Sequence, residues 1–221
     1  MRSILENKYS LIWEKYNNSL FSEIVSRGYA FHYDHDEEGS DILFIGINPS
    51  FKKNSVKENG VFDRNAQNSY FKAFQIIHDK LIERVGTEKY KKWTHIDVLA
   101  LRETSQNHVR TVLSKENGLG FIWEQVMIAK ERILYIKPRV IVVCNTMARE
   151  LMGKDSIGEN GVWMGFQFDF NEDFGSYTIN NSSELKHTHV LFSSMLSGQR
   201  ALDLGSRERL VWQIKRILKN T

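Results

Sequence analysis

Residues 41–50 read Asp-Ile-Leu-Phe-Ile-Gly-Ile-Asn-Pro-Ser, and this stretch decides the fold. Its apolar run from Ile42 to Ile45 mixes β-branched and aromatic residues, which is typical of a strand buried on both faces. Asn48 and Pro49 follow directly and form a turn signal that ends the strand. Because strands buried on both faces belong to parallel sheets covered by helices, the stretch predicts an α/β protein.

Further strands and helices alternate along the chain. The pattern predicts strands at 95–101, 139–144 and 189–194, helices at 70–85, 120–136 and 202–218, and a hairpin within 161–179. Apolar residues within the first 27 positions recur at helical spacing. We therefore predict a three-layer α/β/α domain with a mostly parallel central sheet. Residues 1–40 form an N-terminal helical extension of a single domain whose core spans 41–221.

Composition narrows the class of protein. With 221 residues, 41% of them hydrophobic, the chain can bury a real core. Its apolar runs are too short to cross a membrane, and its first residues lack the apolar region of a signal peptide. We expect a cytoplasmic monomer with no membrane partner. The single cysteine, Cys144, excludes an internal disulfide and is read as a small core residue.

Charge permits a nucleic-acid partner without requiring one. Thirty Lys and Arg residues against 27 Asp and Glu give a net charge of +3, which is less lopsided than in most committed nucleic-acid binders. The acidic segment 32–36, which contains two histidines, could supply metal ligands, but a surface turn is the simpler interpretation. We expect no metal and no cofactor.

Ligands of parallel sheets bind at the carboxyl ends of the strands. The residues that follow each parallel strand are called the strand exits below. They are residues 46–50, 102–104, 144–146 and 193–197.

In sequence and order, these exits resemble the uracil-DNA glycosylase superfamily, most closely its mismatch-specific thymine/uracil branch. Residues 42–50 look like that branch's first motif, a strand followed by Gly-Ile-Asn-Pro-Gly. Segments 59–77 and 138–152 are similar to its helix-start and internal strand–helix segments. Residues 189–201 resemble its second motif, a strand followed by His-Pro-Ser or Asn-Pro-Ser and then Leu-Ser. The resemblance covers residues 40 to 218.

The resemblance implies a monofunctional DNA glycosylase of base excision repair, which hydrolyses the N-glycosidic bond of a damaged or mismatched, uracil-like base. Such an enzyme flips its target base into a pocket. By the family pattern, Asn48 positions the attacking water, and the backbone of Gly46 and Ile47 lies near the base edge. A plain turn after a strand is the alternative reading of Asn48-Pro49.

The family pattern also implies two further base contacts. Phe62 matches the aromatic that stacks on the flipped base, although it lies one residue out of register with Asn68, and a lid over the core is the alternative. Asp97 stands where some branches carry an asparagine that reads the uracil edge. A carboxylate donates a hydrogen bond only when protonated, so either the substrate edge differs or Asp97 orients a neighbour such as Arg102.

The second motif implies the DNA contacts. Ser194 and Ser197 match phosphate-binding serines, Leu196 matches the wedge that fills the gap left by the base, and Arg200 adds a cation; ordinary loop packing is the alternative for Leu196. Phe192 and Ser193 replace the family's His-Pro or Asn-Pro, which puts efficient uracil excision in doubt. Two other functions stay open, a non-catalytic nucleic-acid-binding member and a small-molecule nucleoside or nucleotide N-glycosidase.

Overall fold

The structure is a computed structural model of the chain. It describes residues 1–35, 37–52, 54, 56–62, 69–154, 163–198 and 201–220.

Seven helices and eight strands are formed by the described residues. The helices are α1 (Arg2–Lys15), α2 (Ser22–Val25), α3 (Lys72–Val85), α4 (Gln106–Leu113), α5 (Gly118–Ile136), α6 (Thr146–Met152) and α7 (Leu204–Asn220), with a 3₁₀ turn at Ser69–Phe71. The strands are β1 (Ala30–His32), β2 (Ile42–Gly46), β3 (Gly60–Phe62), β4 (Trp93–Asp97), β5 (Val140–Val143), β6 (Phe168–Asn171), β7 (Ser176–Ile179) and β8 (His189–Phe192).

Six strands form one sheet in the order β4-β2-β5-β8-β7-β6. The pairs β4–β2, β2–β5 and β5–β8 are parallel. The pairs β8–β7 and β7–β6 are antiparallel. The predicted hairpin within 161–179 is the β6–β7 pair and extends one edge of the sheet. Strands β1 and β3 form a separate parallel pair. The predicted α/β class with a mostly parallel sheet is confirmed.

Alternate side chains of β2 point to two different cores. Leu43 and Ile45 belong to a cluster that includes residues of α1, α4, α5 and α6. Ile42 and Phe44 belong to a second cluster with residues of α3 and α7. Helices thus cover both faces of the sheet, which explains why β2 reads as an unbroken apolar run.

The N-terminal helix is part of the main core. Helix α1 buries Leu5, Tyr9, Ile12 and Trp13, and the ring of Trp13 lies 5.1 Å from that of Phe121 on α5. The helical pattern of the first 27 residues is divided between α1 and α2. The division falls beside Asn17 and Asn18, which are weak helix formers.

Strand β4 ends at Asp97, four residues earlier than predicted. The chain beyond it stays attached to the exit of β2, because the N–H groups of Val98 and Leu99 donate to the carbonyls of Gly46 and Ile47. The N–H of Glu103 then donates to the carbonyl of Pro49. These bonds hold the exits of β2 and β4 side by side.

None of the described helices is both long and apolar enough to cross a membrane.

Candidate functional site

The side-chain amide of Asn48 is held in one orientation at the exit of β2. Its Nδ2 donates to the backbone carbonyls of Glu103 at 2.6 Å, Pro49 at 2.9 Å and Leu101 at 3.3 Å. Three carbonyl acceptors identify this atom as the nitrogen. Oδ1 accepts no hydrogen bond from the residues that the structure describes, and the side chain is half-buried. An oriented acceptor is therefore left for a ligand or a water molecule.

Glu103 fixes the loop that holds Asn48. Its carboxylate accepts hydrogen bonds from the N–H groups of Thr104 and Ser105 and pairs with Arg27. Burial alone would raise the pKa of Glu103, but the Ser105 N–H and the Arg27 guanidinium outweigh it and lower that pKa. Glu103 is therefore ionised at neutral pH, and its bonds to Arg27, Thr104 and Ser105 hold the loop whose carbonyl accepts from Asn48.

Gly46 makes room for the carboxyl group of Asp97 on the neighbouring strand. A Cβ atom at Gly46 would lie 2.2 Å from Asp97 Oδ1 and 3.2 Å from His95 Nε2. A side chain at Gly46 would therefore force the carboxyl group of Asp97 to move. The sequence assigned Gly46 and Ile47 to the base edge; the structure places Asp97 against Gly46 and buries Ile47.

The carboxyl group of Asp97 lies at the end of β4, with its side chain 12% exposed. It forms no hydrogen bond with any residue in the described part of the chain, and His95 Nε2 lies 4.0 Å from Oδ1. Burial raises the pKa of Asp97 to about 7, although the positive charge of Arg132 works in the opposite direction. Near neutral pH the group exists in both forms, so it can donate or accept a hydrogen bond.

Asp97 does not orient Arg102. The Arg102 guanidinium donates to the carbonyls of Arg27, Val56 and Glu58 and lies over the ring of Phe51. These contacts tie Arg102 to three loop carbonyls, so this alternative for Asp97 is wrong.

His95 packs behind Asp97 as a neutral imidazole. Tyr70 Oη lies 3.3 Å from its Nε2, and the rings of Phe71 and Phe74 contact its ring edge-on. Burial lowers the pKa of His95 well below its ordinary value and raises that of Tyr70. Neither His95 nor Tyr70 is charged at neutral pH, so these two groups offer no charge to pair with Asp97.

The predicted surface turn at 32–36 is wrong for His32 and Asp34, and Asp36 lies outside the described residues. His32 is 1% and Asp34 6% exposed, and their Nε2 and Oδ2 atoms lie 3.1 Å apart. Thr94 on β4 donates to Asp34 at 2.6 Å. Strand β1 contacts β4, and this contact between distant parts of the chain buries the segment. No local sequence pattern predicts it. Within the described chain, no group of three or more His, Cys, Asp or Glu residues is placed to hold a metal ion.

Phe62 ends β3 with 38% of its surface exposed. It lies opposite His32 in the β1–β3 register. The ring is therefore open to solvent rather than buried as a lid. Asn68, from which its register with the family was counted, lies outside the described residues.

The second motif differs from the expectation at Leu196. This side chain is 5% exposed and belongs to the core cluster with α7, so its assignment as a protruding wedge is wrong in this structure. The loop folds back because the Leu202 N–H donates to the Met195 carbonyl. Met195, at 37%, is the exposed apolar neighbour.

The two candidate phosphate-binding serines differ in exposure. Ser194 is exposed and Ser197 half-buried. Arg200, the predicted additional cation of the DNA contacts, lies outside the described residues. Cys144 is buried beneath the exit of β5 as predicted, and burial raises the pKa of its thiol.

A cavity of about 410 Å³ opens at the exits of β5 and β8. Residues from α6, β7, β8 and α7 line it, and neither Asn48 nor Asp97 is among them. The sequence pointed to the exits at 144–146 and 193–197. It gave no signal for Arg149 and Gln213, which face this space from helices α6 and α7.

No protein-family model matches the sequence, and no curated protein matches it either.

Proposed function

We propose that the protein is a monofunctional DNA glycosylase of the uracil-DNA glycosylase fold, which hydrolyses the N-glycosidic bond of a damaged or mismatched, uracil-like base. The observation that carries the proposal is the fixed amide of Asn48. It stands at the exit of a central parallel strand, with Nδ2 bound by three carbonyls and Oδ1 left as an acceptor.

Hydrolysis at C1′ of the sugar needs an oriented water more than a strong base, since the bond to the departing base breaks through an oxocarbenium-like state. Asn48 Oδ1 accepts a hydrogen bond from that water and directs its oxygen at C1′. The C1′–N bond breaks, the C1′–O bond forms, and the released proton passes to solvent or the departing base. Rigid placement of Asn48 is therefore its contribution to the rate.

Asp97 is the proposed reader of the base edge. As a neutral acid it donates to a carbonyl oxygen of the base, and as a carboxylate it accepts from a ring N–H or an exocyclic amine. Its pKa of about 7 makes both forms available near neutral pH. A carboxyl group here thus extends recognition beyond uracil to bases such as hypoxanthine and xanthine.

A second candidate is hydrolysis of free nucleosides or nucleotides. The buried side chain of Leu196 favours it, because a substrate outside a duplex needs no wedge to replace a displaced base. The same observation favours single-stranded over double-stranded DNA within the first proposal.

The test is base release from labelled oligonucleotides that carry uracil, hypoxanthine, xanthine or a G·T mismatch, each as single and double strand, with the matching nucleosides in parallel. The glycosylase proposal predicts release from at least one oligonucleotide. Release from nucleosides alone would support the second candidate. Salt-sensitive oligonucleotide binding without any release would instead support a non-catalytic binding protein.

A further inference from the structure

The cavity at the exits of β5 and β8 contains a cation that has no acidic partner among the described residues. Arg149 on α6 lines it, and its buried Nε has no hydrogen-bond partner. In the described part of the chain, no carboxylate forms an ion pair with Arg149. The neighbouring Arg110 differs, since it pairs with Glu150 at 3.1 Å.

The other polar groups of the lining are neutral. No Asp or Glu is among the described lining residues, which include Asn145, Thr146, Ser193 and Ser194. Asn145 uses Oδ1 to accept from the N–H groups of Met147 and Ala148, so its Nδ2 remains a donor. The three hydroxyl groups can also donate. Among the described lining residues, one guanidinium without a carboxylate partner is surrounded by neutral donors, and this combination favours an anion.

The size and walls of the cavity indicate what the anion is attached to. About 410 Å³ is several times the volume of one phosphate and falls in the range of ligand pockets. Tyr177 and Phe192 supply aromatic wall, with their ring centroids 5.2 Å apart. The space therefore suits a phosphate together with a sugar or base.

We propose that this cavity binds the phosphate group of a nucleotide or of a nucleic-acid strand, with Arg149 as its principal ligand. Guanidinium groups bind phosphate oxygens through two parallel hydrogen bonds. Ser194, one of the serines that the glycosylase reading assigns to phosphate, lines the cavity, so for a DNA strand the site deepens the proposed function. It uses neither Asn48 nor Asp97, however, and stands whether or not a base is released.

The first test compares Arg149→Gln with Arg110→Gln, which removes the same charge from a paired neighbour outside the cavity. Binding of an undamaged single-stranded 12-mer is measured from 50 to 300 mM salt. Arg149→Gln should weaken binding about tenfold and lower the salt slope by about 0.7, the contribution of one phosphate contact. Arg110→Gln should change neither. Equal effects of the two variants, or no effect of Arg149→Gln, would overturn the proposal.

Two further ligands distinguish the sources of the phosphate. Inorganic phosphate and deoxyadenosine monophosphate are titrated into wild type and Arg149→Gln. Arg149-dependent binding of the mononucleotide identifies a nucleotide site, whereas Arg149-dependent binding of the 12-mer alone identifies a strand-backbone site. Either supports the proposal, and Arg149-independent binding of every ligand contradicts it.

A second variant guards against loss of folding at Arg149. Thr146 is exposed at the first position of α6 and lines the cavity, and a carboxylate there favours the helix. Thr146→Glu should weaken binding at least as much as Arg149→Gln, while Thr146→Gln, which keeps a neutral side-chain donor, should weaken it less than Thr146→Glu does. Asn48→Ala should leave this binding intact, so failure of the phosphate site and failure of the glycosylase proposal are told apart.

Discussion

At the residue scale, Asp97 shows how one side chain sets the properties of the site. Its carboxyl group lies against Gly46 and in front of the neutral His95, without a hydrogen-bond partner in the described part of the chain. Removal from water disfavours the charged form, which is why its pKa is raised to about 7. A buried carboxyl group without such a partner lowers stability, and carboxyl groups with strongly shifted pKa values cluster at functional sites.

The raised pKa of Asp97 predicts how the free energy of unfolding changes with pH. In the unfolded chain Asp97 ionises near pH 3.8, but in the folded protein it holds its proton up to about pH 7. The folded state therefore loses stability as pH rises from about 4 to 7, by up to about 4 kcal/mol. Asp97→Asn should remove this loss, raising the free energy of unfolding at pH 8 and leaving it nearly unchanged at pH 4.

Urea denaturation at the two pH values measures this effect. The exposed Asp169 on β6 provides the matched control, and Asp169→Asn should change the free energy of unfolding by less than about 0.5 kcal/mol at either pH. An equal effect of Asp97→Asn at pH 4 and pH 8 would show that Asp97 keeps an ordinary pKa.

At the element scale, the exits of β2 and β4 form one unit. Backbone bonds join residues 98, 99 and 103 to residues 46, 47 and 49, and the side chain of Asn48 adds further bonds to the same loop. The exits of β5 and β8 are joined by the bond from Ser193 N–H to the Val143 carbonyl. The exits of the four parallel strands thus carry the two proposed sites, one at Asn48 and one at Arg149.

Substitutions in helix α1 test whether the N-terminal segment is part of the main core. Trp13 is 7% exposed and packs on Phe121, whereas Leu11 on the same helix is 57% exposed. Trp13→Ala should lower the free energy of unfolding by about 3–5 kcal/mol because it leaves a cavity in the main core. Leu11→Ala should cost less than about 0.5 kcal/mol. Denaturant titration of both variants measures these changes. A decrease in the free energy of unfolding below about 1 kcal/mol for Trp13→Ala would indicate that α1 is loosely attached.

Sequence patterns predicted the helices and strands whose own residues form a recognisable hydrophobic pattern. The run 42–45 predicted β2 because burial on both faces makes every position apolar. Strands β1 and β3 have three residues each, too few to form a pattern. The burial of His32 and the inward turn of Leu196 depend on contacts between distant segments. The lack of a carboxylate partner for Arg149 among the described residues also depends on the tertiary structure, so no sequence pattern predicts it.

At the scale of the whole molecule, two cores share one sheet. Phe44 and Ile45 are neighbours on β2, yet they belong to the clusters on opposite faces. Damage to either face therefore weakens the strand that supports the other. This arrangement favours unfolding of both cores in a single transition.

Phe44→Ala and Ile45→Ala should each lower the free energy of unfolding by about 2–5 kcal/mol. In both variants, fluorescence of Trp13 in one core and of Trp93 in the other should report the same midpoint, as should far-UV circular dichroism. The two signals are separated in single-tryptophan variants, in which every other tryptophan is replaced with Phe. Two separated midpoints would contradict a shared cooperative unit.

The central claim, that Asn48 positions the water for base release, is tested most directly by single-turnover kinetics. Once a released base has been identified, its rate is measured with excess enzyme for wild type, Asn48→Ala and the exposed control Asn107→Ala. We predict that Asn48→Ala slows release at least tenfold while the affinity for the oligonucleotide changes less than about twofold, and that Asn107→Ala matches wild type. Release by Asn48→Ala at the wild-type rate would contradict the account.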